Sequence, residues 1–335
     1  MMPRAPAFWS SDTWLSHLLS PLSAIGAAVT ARRVSRPGWR APVPVICCGN
    51  VTVGGAGKTT LVLDLAQRLI RRGAEVHILS RGYGGSVRGP HRVGPGDSAA
   101  EVGDEALLLA ATAPTWIGAD RAASARAAVA AGARLLLMDD GLQNPGLRKD
   151  VALLTIDGAA GFGNGRVLPA GPLREPVTAG AARCQAAVLI GPDLTGALAR
   201  LPEGLPVLRA DLVQGPEIAA LRGVAVLAFA GIARPEKFFS PLAQAGAQLI
   251  DKVEFPDHHF YKRVEMEALL ARAERLGALA VTTPKDAARL PADLRGRVHV
   301  IGVGLAWHDE AALEAVLFPI VLQTREDVPH RVEDA

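Results

Sequence analysis

The residues best suited to chemistry form a glycine-rich run between an apolar segment and a helix-forming one: Thr52-Val53-Gly54-Gly55-Ala56-Gly57-Lys58-Thr59. Because glycines lack side chains, backbone N–H groups can converge there on phosphate oxygens at the N-terminus of a helix. Lys58 would reach the β- and γ-phosphates of a nucleotide, and the Thr59 hydroxyl would bind Mg²⁺. The run therefore predicts a phosphate-binding loop, although Thr52 stands where the usual pattern begins with Gly.

An apolar strand ending in two carboxylates predicts the second half of such a site. Residues 135–138 are apolar, and Asp139 and Asp140 follow them. An Asp at the carboxyl end of a strand commonly holds Mg²⁺ or its water in nucleotide-binding proteins. We expect one of the two to contact the metal, and the sequence does not choose between them. A solvated acidic turn is the alternative.

Asp104 opens a helical pattern after Gly103 and has two interpretations. Asp is among the best helix-capping residues, so it could serve only as an N-cap. It could instead accept the proton of an attacking hydroxyl, as an Asp does in kinase catalytic loops. Two histidines, His258 and His259, follow a predicted strand much later in the chain. They favour a polar turn with one imidazole facing a cleft over a metal phosphoesterase site, which would need further Asp and His clusters.

Several other side chains are placed where they could bind phosphate. Guanidinium groups bind phosphates with two parallel hydrogen bonds, and three arginines follow predicted strands or lie in the Gly- and Pro-rich segment 158–180, which we interpret as a catalytic or substrate loop. These arginines are Arg81, Arg121 and Arg174, and with Tyr83 and Glu175 they form a candidate clamp for substrate or phosphate.

The elements that must position these residues alternate between strand-like and helical runs. The first half has strand-like runs at 43–48, 75–80, 134–139 and 151–157, and a second series begins at 224–230 and continues at 248–253, 279–282 and 298–303. Such alternation predicts a parallel sheet with helices on both faces, followed by a smaller second α/β domain. We place the nucleotide-binding domain at 41–220 and the second domain at 221–335, after an N-terminal segment at 1–40.

Composition narrows the classes of function. The chain has 335 residues, with 36 basic against 33 acidic side chains, so its overall charge does not indicate nucleic-acid binding. The 3 cysteines form neither a disulfide framework nor a metal-ligand spacing, which fits a reducing cytosol. No apolar run approaches the roughly 20 residues that span a bilayer, and no signal peptide is evident. No obligate protein partner is evident either.

The N-terminal stretch Phe8–Arg36 combines aromatic and aliphatic residues with a basic end. Trp9, Trp14 and Leu18 are followed by the arginines of residues 32–40. Aromatic rings at the lipid boundary and arginines near anionic head groups are typical of an element on a membrane surface. A helix packed on its own domain, or a contact with a partner, is the alternative.

Taken together, these motifs resemble those of the tetraacyldisaccharide 4'-kinase family, the lipid A 4'-kinases of Gram-negative bacteria. The resemblance extends from about Phe8 to about Leu290, and Thr52 at the start of the loop is normal in that family. It rests on the order and spacing of segments 49–59, 80–84, 103–105, 139–143, 168–176 and 255–258. The family pattern often has His after Gln143, where this chain has Asn144.

The resemblance implies transfer of the ATP γ-phosphate to the 4'-hydroxyl of a tetraacylated disaccharide 1-phosphate at the cytoplasmic face of the inner membrane. It implies ATP and Mg²⁺ as cofactors, with the nucleotide on residues 52–59 and the metal near Thr59, Asp139, Asp140 and Glu105. Asp104 matches the proposed base and His258 the histidine paired with it, while Lys58 acts on the phosphates. Arg174 and Glu175 match the loop near the transferred phosphate. It also favours membrane contact by the N-terminal segment.

A second class of function shares some of these features. A P-loop ATPase switch that cycles on and off a membrane would also carry a phosphate-binding loop and a surface helix. Such proteins usually have a second lysine in the loop or a Cys/His metal cluster, and neither is present in this sequence. Dependence of ATP turnover on a lipid acceptor would separate the two classes.

Overall fold

The computed structural model describes residues 6–326, without the side chains of residue 318 and residues 320–326. The predicted N-terminal segment and second domain therefore each extend beyond the described residues. Thirteen strands are present in this part of the chain: β1 Val45–Gly49, β2 Val76–Ser80, β3 His91–Arg92, β4 Thr115–Ile117, β5 Leu135–Asp139, β6 Val151–Asp157, β7 Ala186–Ile190, β8 Val207–Gln214, β9 Ala225–Ala230, β10 Gln248–Glu254, β11 Leu279–Thr282, β12 His299–Val300 and β13 Val303–Trp307.

Most helices lie between successive strands, whereas α1 precedes the first strand and α10 follows the last. They are α1 Trp14–Val34, α2 Lys58–Arg71, α3 Ala99–Val102, α4 Asp104–Ala110, α5 Arg121–Ala130, α6 Val177–Ala181, α7 Glu236–Gln244, α8 Arg263–Arg275, α9 Pro284–Arg289 and α10 Glu310–Glu326.

A large sheet of nine strands has the order β13-β8-β7-β6-β1-β5-β2-β4-β3. Neighbouring strands from β8 to β4 are parallel, and the edge strands β13 and β3 are antiparallel to their neighbours. Alternate residues of β1 pack on opposite faces: Ile46 against α2 and Cys47 against the α5 side. The predicted parallel sheet with helices on both faces is therefore confirmed.

A smaller sheet has the order β10-β9-β11-β12, and all its neighbours are parallel. Helix α8 packs on one face through Met266 and Leu270, and α7 on the other through Phe238 and Phe239. We call this sheet with its helices, residues 216–300, the small lobe. The nine-stranded sheet with its helices, residues 37–214 and 303–326, is the large lobe.

The predicted strand at 298–303 is wrong in extent, because the chain changes sheets within it. His299–Val300 pair with β11 in the small lobe, whereas Val303–Trp307 pair with β8 in the large lobe. Leu313 and Leu317 of α10 then pack beneath the large sheet beside α2. The chain after residue 302 thus returns to the large lobe, and whether 220 also bounds an independently folding domain stays a prediction.

The N-terminal helix α1 corrects one statement drawn from the sequence. It has 21 residues and is long and apolar enough, by length and composition, to cross a membrane. Serines, a histidine and a proline within it conceal this length when the sequence is searched for an unbroken apolar run. A Thr13 capping box with Ser16 fixes its start.

Candidate functional site

The phosphate-binding loop lies at the carboxyl end of β1, where the chain turns into α2. Gly57 precedes α2 with φ of 82°, a backbone conformation that other residues rarely adopt. Lys58 Nζ donates to Asn50 Oδ1 at 3.0 Å and lies 3.7 Å from Asp140 Oδ1. Asn50 and Asp140 thus hold the Lys58 side chain in place, and Thr59 is buried in the first turn of the helix.

The acidic turn after β5 separates its two carboxylates. Asp140 has φ of 51°, and both of its oxygens accept from Arg174 Nη1, at 2.9 and 3.0 Å. Burial opposes ionisation of Asp140, but the charges of Lys58 and Arg174 outweigh it and lower the pKa of this carboxyl. Asp140 is thus already paired with cations.

Asp139 has a different environment. It is buried, and its Oδ1 has no hydrogen-bond partner. Burial raises the pKa of Asp139 to about 7, and the negative charge of Glu105 contributes to the increase. A buried oxygen without a partner is costly, so this atom is the better candidate of the two for a cation ligand.

The residues of this turn fit a Mg²⁺ ion bound mainly through a nucleotide. Among residues 6–326, no group of three or more His, Cys, Asp or Glu side chains could hold a metal by itself. Mg²⁺ commonly keeps several waters and takes only one or two carboxylates together with substrate phosphates. Asp139 and the Thr59 hydroxyl meet that requirement, while Glu105 Oε1 already accepts from Lys285 Nζ at 2.6 Å.

The Gly- and Pro-rich segment 158–180 packs directly on the phosphate-binding loop. Val53 N donates to the Pro172 carbonyl at 2.8 Å, and Arg174 N donates to the Val51 carbonyl at 2.7 Å. Glu175 is buried, where its Oε1 accepts from Gln143 Nε2 and from Arg183 Nη2, both at 2.7 Å. The segment thereby places Arg174 at the acidic turn and Glu175 behind it.

A second group of residues joins the two lobes. His258 Nδ1 lies 3.0 Å from Asp104 Oδ2, so the imidazole N–H donates to the carboxylate. The side chain of Asp104 is 6% exposed and that of His258 is 36% exposed. The hydrogen bond to Asp104 raises the pKa of His258. Burial would raise the pKa of Asp104, but the hydrogen bond from His258 and the charges of His258 and Arg289 lower it overall. The pair is thus a carboxylate and an imidazole suited to taking up a proton.

This pair lines a cleft of about 250 Å³ between the lobes. Tyr83 and Phe260 contribute exposed rings to it, and Arg289 lies at its wall. The ring centroids of Tyr83 and His258 are 6.4 Å apart. An acceptor with an apolar or sugar surface could pack on these rings while its hydroxyl faces Asp104 and His258.

The backbone at Gly103 places Asp104 in the cleft, and it yields a testable expectation. Gly103 has φ of 87°, and a Cβ there would lie 2.4 Å from the Tyr83 carbonyl oxygen. Gly103→Ala is therefore expected to destabilise the fold in urea unfolding by more than the about 1–3 kcal/mol that a strained backbone conformation costs by itself. Gly132→Ala is the matched control, since Gly132 also has positive φ but nothing near its Cβ position. Equal losses in the two variants would show that the contact with Tyr83 is unimportant.

The remaining predicted clamp residues are not brought to this cleft. Arg81 is exposed just after β2. Arg121 is buried, and its Nη1 donates to the carbonyl of Gly118. Burial lowers the pKa of Arg121, against the charges of Asp139 and Asp140. Arg121 thus contributes positive charge behind the acidic turn, without a free guanidinium face towards the cleft.

Sequence reasoning missed two residues of this junction. Lys285 pairs with Glu105, and Arg289 Nε lies 3.5 Å from Asp104 Oδ2. Both belong to α9, which begins with a Thr283 cap and Pro284. The signal was available: an apolar strand, a Thr-Pro helix start and three charged residues within one short helix, at the carboxyl edge of the small sheet. The general preference for ligand sites at that edge of α/β sheets makes such a segment a candidate.

Comparisons with known proteins agree with one another. The family model described as tetraacyldisaccharide-1-P 4'-kinase matches residues 15–321. A tetraacyldisaccharide 4'-kinase of Gluconacetobacter diazotrophicus is 59% identical over 93% of this chain and 97% of its own length. One of Rhodospirillum centenum is 55% identical over 95% of this chain and 97% of its own length. The crystal structure of LpxK from Aquifex aeolicus in complex with ATP superposes with a TM-score of 0.73 and 27% identity, covering 92% of this chain and 99% of that one.

Proposed function

Because the chain belongs to the tetraacyldisaccharide-1-P 4'-kinase family, we propose that it transfers the γ-phosphate of ATP to the 4'-hydroxyl of a tetraacyldisaccharide 1-phosphate. The resemblance inferred from the sequence motifs is thereby confirmed at the level of the family. The observation in this molecule that carries the proposal is the contact of His258 with Asp104. Asp104 belongs to the lobe that also carries the phosphate-binding loop. Together with His258 it would supply a proton acceptor for the attacking hydroxyl.

Different residues of the site would perform different parts of the reaction. Phosphoryl transfer requires mainly alignment and neutralisation of charge, plus a group that receives the hydroxyl proton. The acceptor oxygen attacks the γ-phosphorus, the bond from that phosphorus to the ADP oxygen breaks, and the hydroxyl proton passes to the pair of Asp104 and His258. Lys58 and Arg174 would balance negative charge on the phosphates, since Asp140 holds both cations at the loop.

We further propose that Asp139 and Thr59 hold Mg²⁺ on the nucleotide. When bound, the ion would neutralise charge on the β- and γ-phosphate oxygens. Asp139 offers an unpartnered buried oxygen for it, whereas Asp140 stays with Arg174 and Lys58. Glu105 would stay paired with Lys285. It would act on the metal site only through its negative charge, which helps to raise the pKa of Asp139.

We also propose that the protein works at a membrane surface, on the cytoplasmic side, with α1 lying against the lipid. One face of this helix is both apolar and exposed: Trp14, Leu18, Leu22, Ile25 and Val29 are each more than half exposed. Their spacing of three or four residues places them along one stripe of the helix. The opposite face is polar and docked on the segment 158–180, where Ser23 Oγ donates to the Val167 carbonyl at 2.6 Å.

That docking favours a helix on the surface over one that spans the bilayer. Arg166 Nη1 donates to Ser20 Oγ at 2.6 Å, and Trp9 Nε1 donates to the Pro169 carbonyl at 3.1 Å. A spanning helix would lose these contacts and place the serines in lipid. The exposed Arg32 and Arg33 in the last turn would meet anionic head groups.

Replacing part of the stripe should release the protein from lipid. Leu18→Glu combined with Ile25→Glu is expected to reduce binding to vesicles with anionic lipid by at least about 10-fold, because each buried leucine or isoleucine is worth roughly 1.5–3 kcal/mol. Both side chains are exposed, so the unfolding midpoint should not change. Leu276→Glu, at an exposed leucine immediately after α8, is the control. Flotation of the double variant with vesicles at the wild-type level would argue against α1 as the contact.

The proposed reaction is tested by incubating the protein with γ-labelled ATP, Mg²⁺ and purified tetraacyldisaccharide 1-phosphate in detergent micelles. We expect the label in the lipid, and its loss in Lys58→Met, whose site lacks the cation at the phosphates. Release of labelled phosphate to water without labelled lipid would favour the membrane-cycling ATPase. The relatives named above give that alternative no support, since both carry the name of the kinase.

A further inference from the structure

A buried arginine of the small lobe lies against the catalytic pair. The side chain of Arg289 is 1% exposed, and its Nε is 3.5 Å from Asp104 Oδ2. A buried guanidinium is stable only when its donors are satisfied and its charge is balanced. The partners of Arg289 therefore indicate what it holds in place.

The charge of Arg289 is balanced by Asp286, which is fully buried. Arg289 Nη2 donates to Asp286 Oδ1 at 2.8 Å. The same oxygen accepts from Tyr261 Oη at 2.7 Å and from Gly231 N at 2.8 Å, while Asp286 Oδ2 accepts from Thr283 Oγ1 at 2.6 Å. This network fixes the guanidinium from behind, on the side away from the large lobe.

The other donations of Arg289 go to backbone carbonyls, and the first, from Nε to the Lys285 carbonyl at 3.1 Å, lies within its own helix. Nη2 donates to the Gly231 carbonyl at 2.9 Å, and Nη1 donates to the His259 carbonyl at 3.3 Å. His258 N also donates to the Gly231 carbonyl, at 3.2 Å. The turn needs such support, because His258 has φ of 57°, a strained conformation for a residue other than glycine.

One side chain thus lies beside Asp104 and also bonds to the backbone that holds the His258 turn. It ties the turn that carries His258 to Asp286, and it places positive charge beside the Asp104 carboxylate, which belongs to the other lobe. We propose that Arg289 is a positioning residue of the acceptor site, which holds His258 in register with Asp104 across the junction of the two lobes. This inference rests on the proposed function, and it deepens the description of the same site.

The primary test compares Arg289→Met with Arg295→Met in the transfer assay. Arg295 also supports the end of α9, through its donations to the carbonyls of Leu290 and Ala288, but it does not face Asp104. We expect Arg289→Met to lower kcat by about 10-fold to 100-fold with the KM for ATP unchanged, because a small misplacement of reacting groups has costs of that order. Arg295→Met should lower the unfolding temperature while the folded enzyme keeps its kcat. Equal kcat values in the two variants would overturn the proposal.

Two further variants separate positioning from charge and from folding. Arg289→Lys keeps the charge but lacks the planar fork that reaches two carbonyls, so it should recover little of the lost kcat. Full recovery would show that charge alone is needed and would refute positioning. If Arg289→Met does not fold because Asp286 is left unpaired, Arg289→Met with Asp286→Asn removes both charges, and the same loss of kcat is expected.

A double-mutant cycle tests whether Arg289 acts through Asp104. In an Asp104→Asn background, Arg289→Met should cause little additional loss, since the group that it positions is already inactive. Losses that multiply in the double variant would show that Arg289 acts independently, and the proposal would fail.

A spectroscopic measurement keeps the proposal testable if the chain fails to phosphorylate the lipid. In protein with ¹⁵N-labelled histidine, the Nδ1–H proton that His258 donates to Asp104 is identified by its loss in His258→Ala. We expect this signal to shift or broaden in Arg289→Met and to remain in place in Arg295→Met. An unchanged signal in Arg289→Met would overturn the positioning role, whereas absence of lipid phosphorylation by the wild type would overturn only the proposed reaction.

Discussion

Asp104→Asn is expected to lower kcat for lipid phosphorylation by about 10² to 10⁴, the usual contribution of a positioned general base. Asn is nearly isosteric and can still accept a hydrogen bond from His258, but it cannot take up the proton of the acceptor hydroxyl. The change leaves Lys58 and its neighbour Asp140 at the proposed nucleotide site unaffected. The KM for ATP should therefore remain close to the wild-type value in steady-state assays at saturating lipid.

A second carboxylate–imidazole pair in the same lobe provides the control for Asp104. His91 Nε2 lies 2.8 Å from Asp97 Oδ2, in the segment between β2 and α4. Asp97→Asn removes the same charge from the same kind of pair, and kcat should be unchanged. His258→Ala should show a loss that does not multiply with that of Asp104→Asn, because the two residues act as a unit. A wild-type rate in Asp104→Asn would exclude this carboxylate as the proton acceptor.

Asp139→Asn is expected to abolish most activity while leaving the protein as stable as before, or more so. Its carboxylate is buried, has an oxygen without a partner, and experiences the negative charges of Glu105 and Asp140. Neutral Asn removes that repulsion, so the unfolding temperature without Mg²⁺ should stay the same or rise. Loss of the proposed metal ligand should lower kcat by about 100-fold to 1,000-fold, since metal ions contribute several kcal/mol to such transition states.

The adjacent Asp140→Asn should behave in the opposite way in the stability measurement. Asp140 is bonded to Arg174 and lies near Lys58, so its removal leaves two cations without their carboxylate and should lower the unfolding temperature. Differential scanning calorimetry with and without Mg²⁺ and ATP compares the two. We expect the ligands to raise the unfolding temperature of the wild type much more than that of Asp139→Asn. A large drop in the stability of Asp139→Asn without ligands would contradict the interpretation of Asp139.

Much of the fold followed from local patterns. The runs of residues 151–157 and 279–282 became β6 and β11 with the predicted bounds, and the helix-forming segment after the glycine-rich run became α2. Elements with weaker sequence patterns were missed. Strand β7 is rich in alanine, strand β8 is largely exposed, and neither was predicted. The loop between residues 81 and 103 also contains β3 and α3, whose two and four residues are too short for periodicity to reveal.

The candidate site likewise has features that the sequence predicted and features that it did not. The phosphate-binding loop is a local motif, so its residues could be named from their spacing alone. The different surroundings of Asp139 and Asp140 could not be predicted, because they depend on the left-handed backbone of Asp140 and on its contact with Arg174. Arg289 escaped notice since its partners come from both lobes.

The sequence by itself determined the fold class, many of the strands and the family, because apolar periodicity acts over a few residues and the order of the motifs is read directly from the chain. Tertiary structure decided which residues meet. His258 reaches Asp104, 154 positions earlier, and the run at 298–303 divides between two sheets. Such contacts depend on how the packed faces of both lobes fit together, and one short segment carries too little information to fix that arrangement.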